Sequence, residues 1–566
     1  MPCETERKRA EKYKREGGMH MKKLTALTLA LAVLVLFVPG ALALPEPLTQ
    51  ETRTIVIGTK MNTRVSDYEN NYLTKLLEKT LNVKIEWIFF PDGSRQARQK
   101  FDQMVATNQR LPDILLDVGL TDEAVLRYGE SGVLLPLNDY IGEYGVNLAA
   151  GFEKWCTAEE KENVFKYNTA ANGKIYAFPF YYVDPNNLFC RGMWVNKTWT
   201  EKLGMELPAT TEELYDLLVA FRDKDPNGNG IRDEIPLVGT TGWSGNVVQT
   251  LLNSFIYYSD YCLNAENGIL STPFTEDAFR EGLRYVHRLV EENLLSPLSF
   301  TQGNSELKEI IENGEDRDPV VGCFSVHSDE VTNPMSRKIL DFTGIAPLTG
   351  PEGVAYTSAG VIKGKNTTYI TRDAQDPVLA FRFLDALCDT EISISVRFGE
   401  LGVDWFWADE NSVCKQKLPG YKAIYKSDNL VWSSESTDKI WHIDTCTFMP
   451  PKLFGGLAYQ DEYFTYDEET KRSVDTWWES VPKRHGKCPA EVVGPIMYTQ
   501  EEMEEIGETW STIQDYVQDA TIRFVTGDLS IEQDWDAYLN DLKMMGLERF
   551  LEIAQTAYTR MNSYQY

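Results

Sequence analysis

From Thr54 onward the chain alternates short apolar runs with segments whose apolar residues recur every three or four positions. TIVIGT reads as a strand. Leu73, Leu76, Leu77 and Leu81 then share one helical face, Val83, Ile85 and Trp87 alternate as in a strand, and Ala97, Phe101, Met104 and Val105 form a second helical face. LPDILLDV follows as a buried strand opened by a proline. Strands separated by helices of this length predict a parallel, doubly wound α/β sheet, whose ligands bind beyond the carboxyl ends of the strands. The turns after Thr59 and after Asp117 are therefore candidate cleft walls.

Further on, Thr210 and Glu213 form a capping box ahead of a helix with Leu214, Leu217, Leu218 and Phe221 on one face. The reading is helical from beyond Trp243 to about Leu295, with short strands around Val320–Val326 and a helix carrying Leu379, Phe383 and Leu387. Residues Asn411 to Val493 are rich in Trp, Tyr and Pro but lack a period, and no element is assigned there. A capping box at Ser530 and Gln533 predicts a C-terminal helix, broken at Gly546 and continued with Leu547, Leu551, Ala554 and Tyr558 on one face.

At 566 residues the chain exceeds a single hydrophobic core, so two or more lobes are expected. With no repeat and no low-complexity linker, the chain is expected to cross between them. The expected division is residues 1–43 as leader, 44–178 with 320–366 as one lobe, and 179–319 with 367–566 as the other.

The leader has the form of a secretory signal: Lys22-Lys23, an apolar run from Leu27 to Val38, a Pro39-Gly40 break and Ala41-Leu42-Ala43 as the cleavage site. This addresses the chain to the outside of the cytoplasmic membrane. The run is short of the about 20 residues of a span, an uncleaved anchor being the alternative, and no lipobox cysteine follows it. A formal net charge of −29 argues against nucleic acid as a partner. Past the leader stand eight cysteines without any CxxC, which permits disulfides or buried thiols and disfavours zinc.

The most specific stretch is DKDPNGNGIRDE, Asp223 to Glu234. Calcium takes six to eight oxygens at roughly 2.3–2.6 Å, and alternate side chains of a tight loop converge on one point. Counted from Asp223, the loop has an EF-hand form with Gly228 sixth and Glu234 twelfth. Counted from Asp225, the side chains of Asp225, Asn227 and Asn229, the carbonyl of Ile231, then Asp233 and Glu234 supply ligands, with Gly230 sixth. The second register uses every carboxamide and carboxylate of the tighter run and is preferred. A lone loop of this kind suggests a structural ion. The competing reading is an Asx/Gly-rich surface turn without metal.

Enzymatic motifs are scarce. His287, His327, His442 and His485 stand alone, and neither HExxH nor GxSxG occurs. A pair of catalytic carboxylates is set by space and escapes a sequence search. Aromatic residues in loop-like segments are more informative, since an aromatic ring suits the apolar face of a pyranose. Trp243 and Trp405 are the leading candidates for stacking a sugar. Tyr181, Tyr182, Arg191 and Trp194 are further candidates, with core packing the competing reading for the aromatics among them.

The segments LPDILL, GVLLPLNDYI, GKIYAFPF, the long run MWVNKTW through RDEIPL, PLTGPEG, FGELGVDW and the tail DWDAYLNDLKMMGLERFLEIAQTAY together resemble the large, calcium-containing extracellular solute-binding proteins of family 1. These are similar to the alginate-oligosaccharide-binding components of ABC importers. The resemblance, from about Thr54 to Tyr558, implies a type II periplasmic-binding-protein fold: two α/β lobes, a hinge, and a ligand in the cleft between them. It implies Ca²⁺ on Asp225, Asn227, Asn229, Ile231, Asp233 and Glu234, sugar on Trp243 and Trp405, delivery of an oligosaccharide to ABC permease subunits, no catalysis, and a monomer. An exported carbohydrate-active enzyme and a ligand-presenting sensor are the alternatives.

Overall fold

The computed structural model describes residues 45–189, 191–242, 245–314, 317–326, 338–427, 436–441, 446–459 and 473–564. The leader, with the signal expected there, lies outside the described residues.

Two four-stranded sheets organise the chain. The first has Arg53–Lys60 at its centre, parallel to Val83–Phe90 on one side and to Ile114–Leu116 on the other. Thr368–Ile370 closes that edge antiparallel. Ile55, Ile57, Ile85 and Ile114 are buried with Leu73 and Leu77 of the helix Tyr72–Leu81, and the alternation seen in Val83–Phe90 is that of an edge strand, with Val83 and Ile85 buried and Lys84 and Glu86 exposed. This is the βαβαβ order predicted from the periodicity.

The second sheet runs Phe342–Gly344, Met193–Asn196, Val321–Ser325, Ile235–Val238. Its two central strands are antiparallel, and Ile235–Val238 is parallel to Val321–Ser325. Its core takes in the helix Thr211–Asp223 and the three C-terminal helices Thr509–Thr526, Trp535–Met544 and Leu547–Ser563. Helix Thr211–Asp223 starts at the predicted capping box and buries Leu214, Leu217, Leu218 and Phe221. Close approach at its end requires Gly322: a Cβ there would come within 2.4 Å of the Phe221 ring and 2.9 Å of the Pro236 carbonyl. The helix end, and the loop that leaves it, are thereby pressed against the second sheet.

The expected division of the chain is corrected in two places. Segment 320–366 supplies Val321–Ser325 and Phe342–Gly344, which pair with Met193–Asn196, so it belongs with the second sheet. Within 367–566, Thr368–Ile370 and the helix Pro377–Ala386 pack into the first core. The unperiodic region holds a third, three-stranded sheet of Trp405–Trp407, Tyr425–Ser427 and Leu457–Ala458. Its neighbourhood joins the first lobe, since Ser66 donates to the Thr437 carbonyl and Tyr72 to the Asp438 carbonyl.

Two local expectations also change. The stretch 247–295 is a short helix Val247–Leu252, an irregular loop, a hairpin of Asn264–Glu266 with Ile269–Ser271, and a helix Asp277–Glu291. Ser530 and Gln533 form a turn, with Ser530 accepting from the Gln533 amide, and the helix begins at Trp535 behind Asp534. Gly546, at φ 94°, does separate the last two helices.

Candidate functional site

Strand direction divides the second sheet into two ends. Strands Ile235–Val238 and Val321–Ser325 both point their carboxyl ends the same way. Loop 225–234 precedes Ile235, so it sits at the amino end of that strand. The turn 239–246 leaves the opposite end, which is the end that ligands use in such sheets.

The loop is built from its own side chains. Asp225, at φ 48°, and Gly228 and Gly230, at 79° and 75°, give the left-handed residues that fold it tightly. The Asp225 carboxylate accepts from the Gly228 and Gly230 amides, both at 3.0 Å. Asn227 Oδ1 accepts from Asn229 N at 3.0 Å and Asn229 Oδ1 from Ile231 N at 2.7 Å, while both side-chain amides donate to Asp233. Ile231 leaves its side chain 60% exposed, as a residue contributing backbone would. Lys202 donates to the Pro226 carbonyl at 3.1 Å and ties the loop to the helix Lys197–Leu203.

Asp223, the first residue of the alternative register, forms a two-point pair with Arg222 at 2.9 and 3.0 Å. That pair holds its carboxyl below the usual carboxylate range. Its oxygens are engaged outside the loop, which favours the register from Asp225.

Glu234 carries the unresolved charge. Its Oε1 is buried without a hydrogen-bond partner. Burial pushes its pKa up, and the neighbouring carboxylates Asp233 and Asp225 add to the rise. Among the described residues no group of three or more His, Cys, Asp or Glu is placed to hold a metal. Any cation in the loop must therefore also use the Asn oxygens and a carbonyl, which are hard donors suited to calcium. The orphaned buried Glu234 oxygen, in the same loop as those donors, fits that ion.

At the carboxyl edges, Lys60 pairs with Asp117 at 2.8 Å where the first sheet's two central strands end. Asp122 opens the helix Asp122–Glu130 beyond that edge. On the second sheet Arg191, just before the strand Met193–Asn196, lies at the same end as turn 239–246, because that strand runs antiparallel. Its guanidinium is buried, bound to Asp260 at 2.6 Å and to Ser358 at 3.2 Å, with Asp260 60% exposed. Beside it, burial pushes the Tyr261 phenol to about 12, with Asp260 and Asp122 contributing. Helix Gln500–Ile506, whose Ile506 belongs to the second core, packs on Asp122–Glu130. The carboxyl edge of the first sheet is thus joined through this helix pair to the core of the second.

The sequence candidates separate by burial. Trp405 is 0% exposed, and its indole donates to Ser395 Oγ and to the Gly399 carbonyl, both at 3.1 Å. It is a core residue of the third sheet with no face for a sugar, whereas Phe406 beside it is 48% exposed. Trp194 and Tyr181 are likewise buried, Trp194 stacked on Phe324 and donating to Val326, Tyr181 bonded to the Cys156 thiol at 2.7 Å. Tyr182 is half-buried under the Arg397 and Lys365 cations. Trp243 lies outside the described residues. Asp122, Asp260 and Tyr261 were not anticipated. The signal for the last two was the mixed aromatic and acidic run Tyr257–Tyr261, hidden by reading that segment as helix. The seven described cysteines past the leader are unbonded thiols.

A match to the family of bacterial extracellular solute-binding proteins spans residues 64–391. The fructooligosaccharide ABC transporter substrate-binding protein FusA of Streptococcus pneumoniae serotype 4 is 24% identical over 516 residues, 87% of each chain. Its complex with kestose aligns at TM-score 0.63 over 90% of this chain and 100% of that one, at 23% identity, and an EF-hand mutant of FusA has also been solved. A human-milk-oligosaccharide-binding (HMO) solute-binding protein from Bifidobacterium longum infantis aligns at TM-score 0.72, 18% identity, over 91% and 100%. The alginate-binding protein AlgQ2, solved without calcium ion, aligns at 0.61, 21% identity, over 91% and 100%. These likenesses carry the two-lobed fold.

Proposed function

Because the chain belongs to the bacterial extracellular solute-binding protein family, we propose that it captures an oligosaccharide outside the cytoplasmic membrane and hands it to an ABC permease. One observation supports the reading above the others: the helix Asp122–Glu130, which leaves the carboxyl edge of the first sheet, packs on Gln500–Ile506 of the second core. A ligand touching both edges favours the closed arrangement over the open one and so shifts their balance. The protein itself does no chemistry. Relatives named for binding fructooligosaccharide, polygalacturonan and rhamnogalacturonan support a saccharide ligand. Among the described residues no helix is long and apolar enough to cross a membrane.

Trp243 remains the proposed stacking ring, on the strength of the sequence alone. Asp260, held by Arg191, is the proposed acceptor for sugar hydroxyls. Calcium is the proposed structural cofactor, held by Asp225, Asn227, Asn229, the Ile231 carbonyl, Asp233 and Glu234. When bound it supplies positive charge to three carboxylates that otherwise repel. Because that loop lies at the opposite end of its strand from the ligand edge, the ion acts on stability and leaves sugar contacts to other residues.

The test is a thermal-unfolding screen of the chain without its leader, in excess Ca²⁺, against kestose, milk oligosaccharides, oligogalacturonates and alginate oligomers. A ligand at about 100 times its Kd adds roughly 2.7 kcal/mol. A shift with the sugar recovered intact is expected. Cleavage of the sugar, or no shift across the panel, overturns the reading.

A further inference from the structure

A second recess lies on the second sheet, away from the ligand edge. Strand Met193–Asn196 is antiparallel to Val321–Ser325, so Lys197, which follows it, sits at the same end as loop 225–234. The recess has a cavity volume of about 180 Å³ and is walled by Phe342, Thr343 and Lys197 on one side and by Thr476, Glu479 and Lys483 of the helix Ser473–Arg484 on the other. Two ammonium groups stand there against one carboxylate, in a chain whose net charge is −29.

Two of its polar groups have unused capacity. Lys197 is half-buried, and among the described residues its ammonium has neither a hydrogen bond nor an ion pair. Thr476 is only 6% exposed, yet among the described residues its hydroxyl has no partner. A buried polar group left in that state is unfavourable, and a ligand or ordered water relieves it. Lys483 is fixed by donating to the Gly344 carbonyl at 2.7 Å and to Thr343 Oγ1 at 3.2 Å, which keeps its charge at the rim. Thr476, Glu479 and Lys483 fall three and four residues apart, so one helical face presents all of them.

We propose that this recess is a binding site for an oxyanion, a carboxylate or phosphate group on a free ion or a small acidic sugar, separate from the oligosaccharide edge. Lys197 supplies the countercharge, Thr476 donates its hydroxyl, and Lys483 adds the field of a second cation. Charge-assisted hydrogen bonds of this kind are the strong ones. Phe342 limits the ligand to a small group.

The test titrates the leaderless chain, at constant ionic strength, with inorganic phosphate and separately with D-glucuronate, read by calorimetry and by thermal unfolding. Saturable one-to-one binding of at least one probe is expected, weakened by about tenfold or more in Lys197→Met and in Thr476→Val and retained in Lys197→Arg. Binding of phosphate alone identifies a free anion as the source, and binding of glucuronate identifies a sugar acid; both support the site. Absence of saturation with either probe, or equal affinity in the wild type and all three variants, overturns it. Oligosaccharide binding measured on the same samples reports on the other site, so either reading can fail alone.

Discussion

Arg191 and Asp260 are joined at 2.6 Å with the guanidinium almost wholly buried and the carboxylate largely in solvent. The pair fixes an exposed acid at the ligand edge of the second sheet by a cation that cannot move. Asp260→Asn keeps the shape and removes the charge that faces the buried guanidinium, which still donates to Ser358. The expected cost is about 1–3 kcal/mol in thermal or denaturant unfolding, together with weaker oligosaccharide binding by calorimetry. Full stability in Asp260→Asn would show that the pair does not hold the edge.

Chelation should lower stability. If Ca²⁺ occupies the loop at about 100 times its Kd, its removal costs roughly 2.7 kcal/mol, read as a fall in melting temperature that added Ca²⁺ restores. Asp233→Ala should lose that response while keeping oligosaccharide affinity in the folded protein. Identical melting with and without thorough chelation contradicts a resident ion.

Trp405 and Phe406 should behave oppositely. Trp405→Ala opens a large cavity in the third sheet and strands Ser395 and Gly399, at an expected cost of about 3–5 kcal/mol. Phe406→Ala removes a half-exposed ring and should change stability by less than about 1 kcal/mol. Unfolding curves of the two variants decide it, and a well-folded Trp405→Ala with lost sugar affinity would return Trp405 to the binding site.

Trp243→Ala should weaken oligosaccharide binding by about tenfold, the equivalent of roughly 1.4 kcal/mol, with little change in melting. A fall in melting without a change in affinity would mark it as a packing residue.

Asp376 gives a pH signature. Its carboxylate accepts from the Leu379 amide at 3.0 Å as the cap of helix Pro377–Ala386. That bond lowers its pKa; burial acts the other way, and the paired Arg53 lowers it further. A folded-state pKa below the unfolded one adds stability that is full above the ordinary carboxylate range and is lost as pH falls through the lowered value. Asp376→Ala is therefore expected to cost about 1 kcal/mol near neutral pH and progressively less below about pH 4. A cost independent of pH across that range would rule out the ionised cap.

Local pattern was enough for the first sheet, because Ile55 and Ile57, and likewise Val83 and Ile85, are buried at every second position as a strand requires. It was enough for the helix behind Thr210, where cap and apolar stripe agree. It failed at Tyr257–Tyr261, where apolar and aromatic density imitated a helix although the side chains serve a loop. It failed again at Ser530, whose hydroxyl caps a turn one step before the helix.

By itself the sequence determined the wound α/β class and the ordered oxygen donors of Asp225 to Glu234, since both depend on neighbours within one turn or one strand. Only the tertiary structure decided that Trp405 is sealed in, that Asp223 is spent on Arg222, and that segment 320–366 joins the second sheet. Whether an aromatic ring meets solvent, and which sheet a strand completes, are set by contacts between residues far apart in the chain, and no local period encodes them.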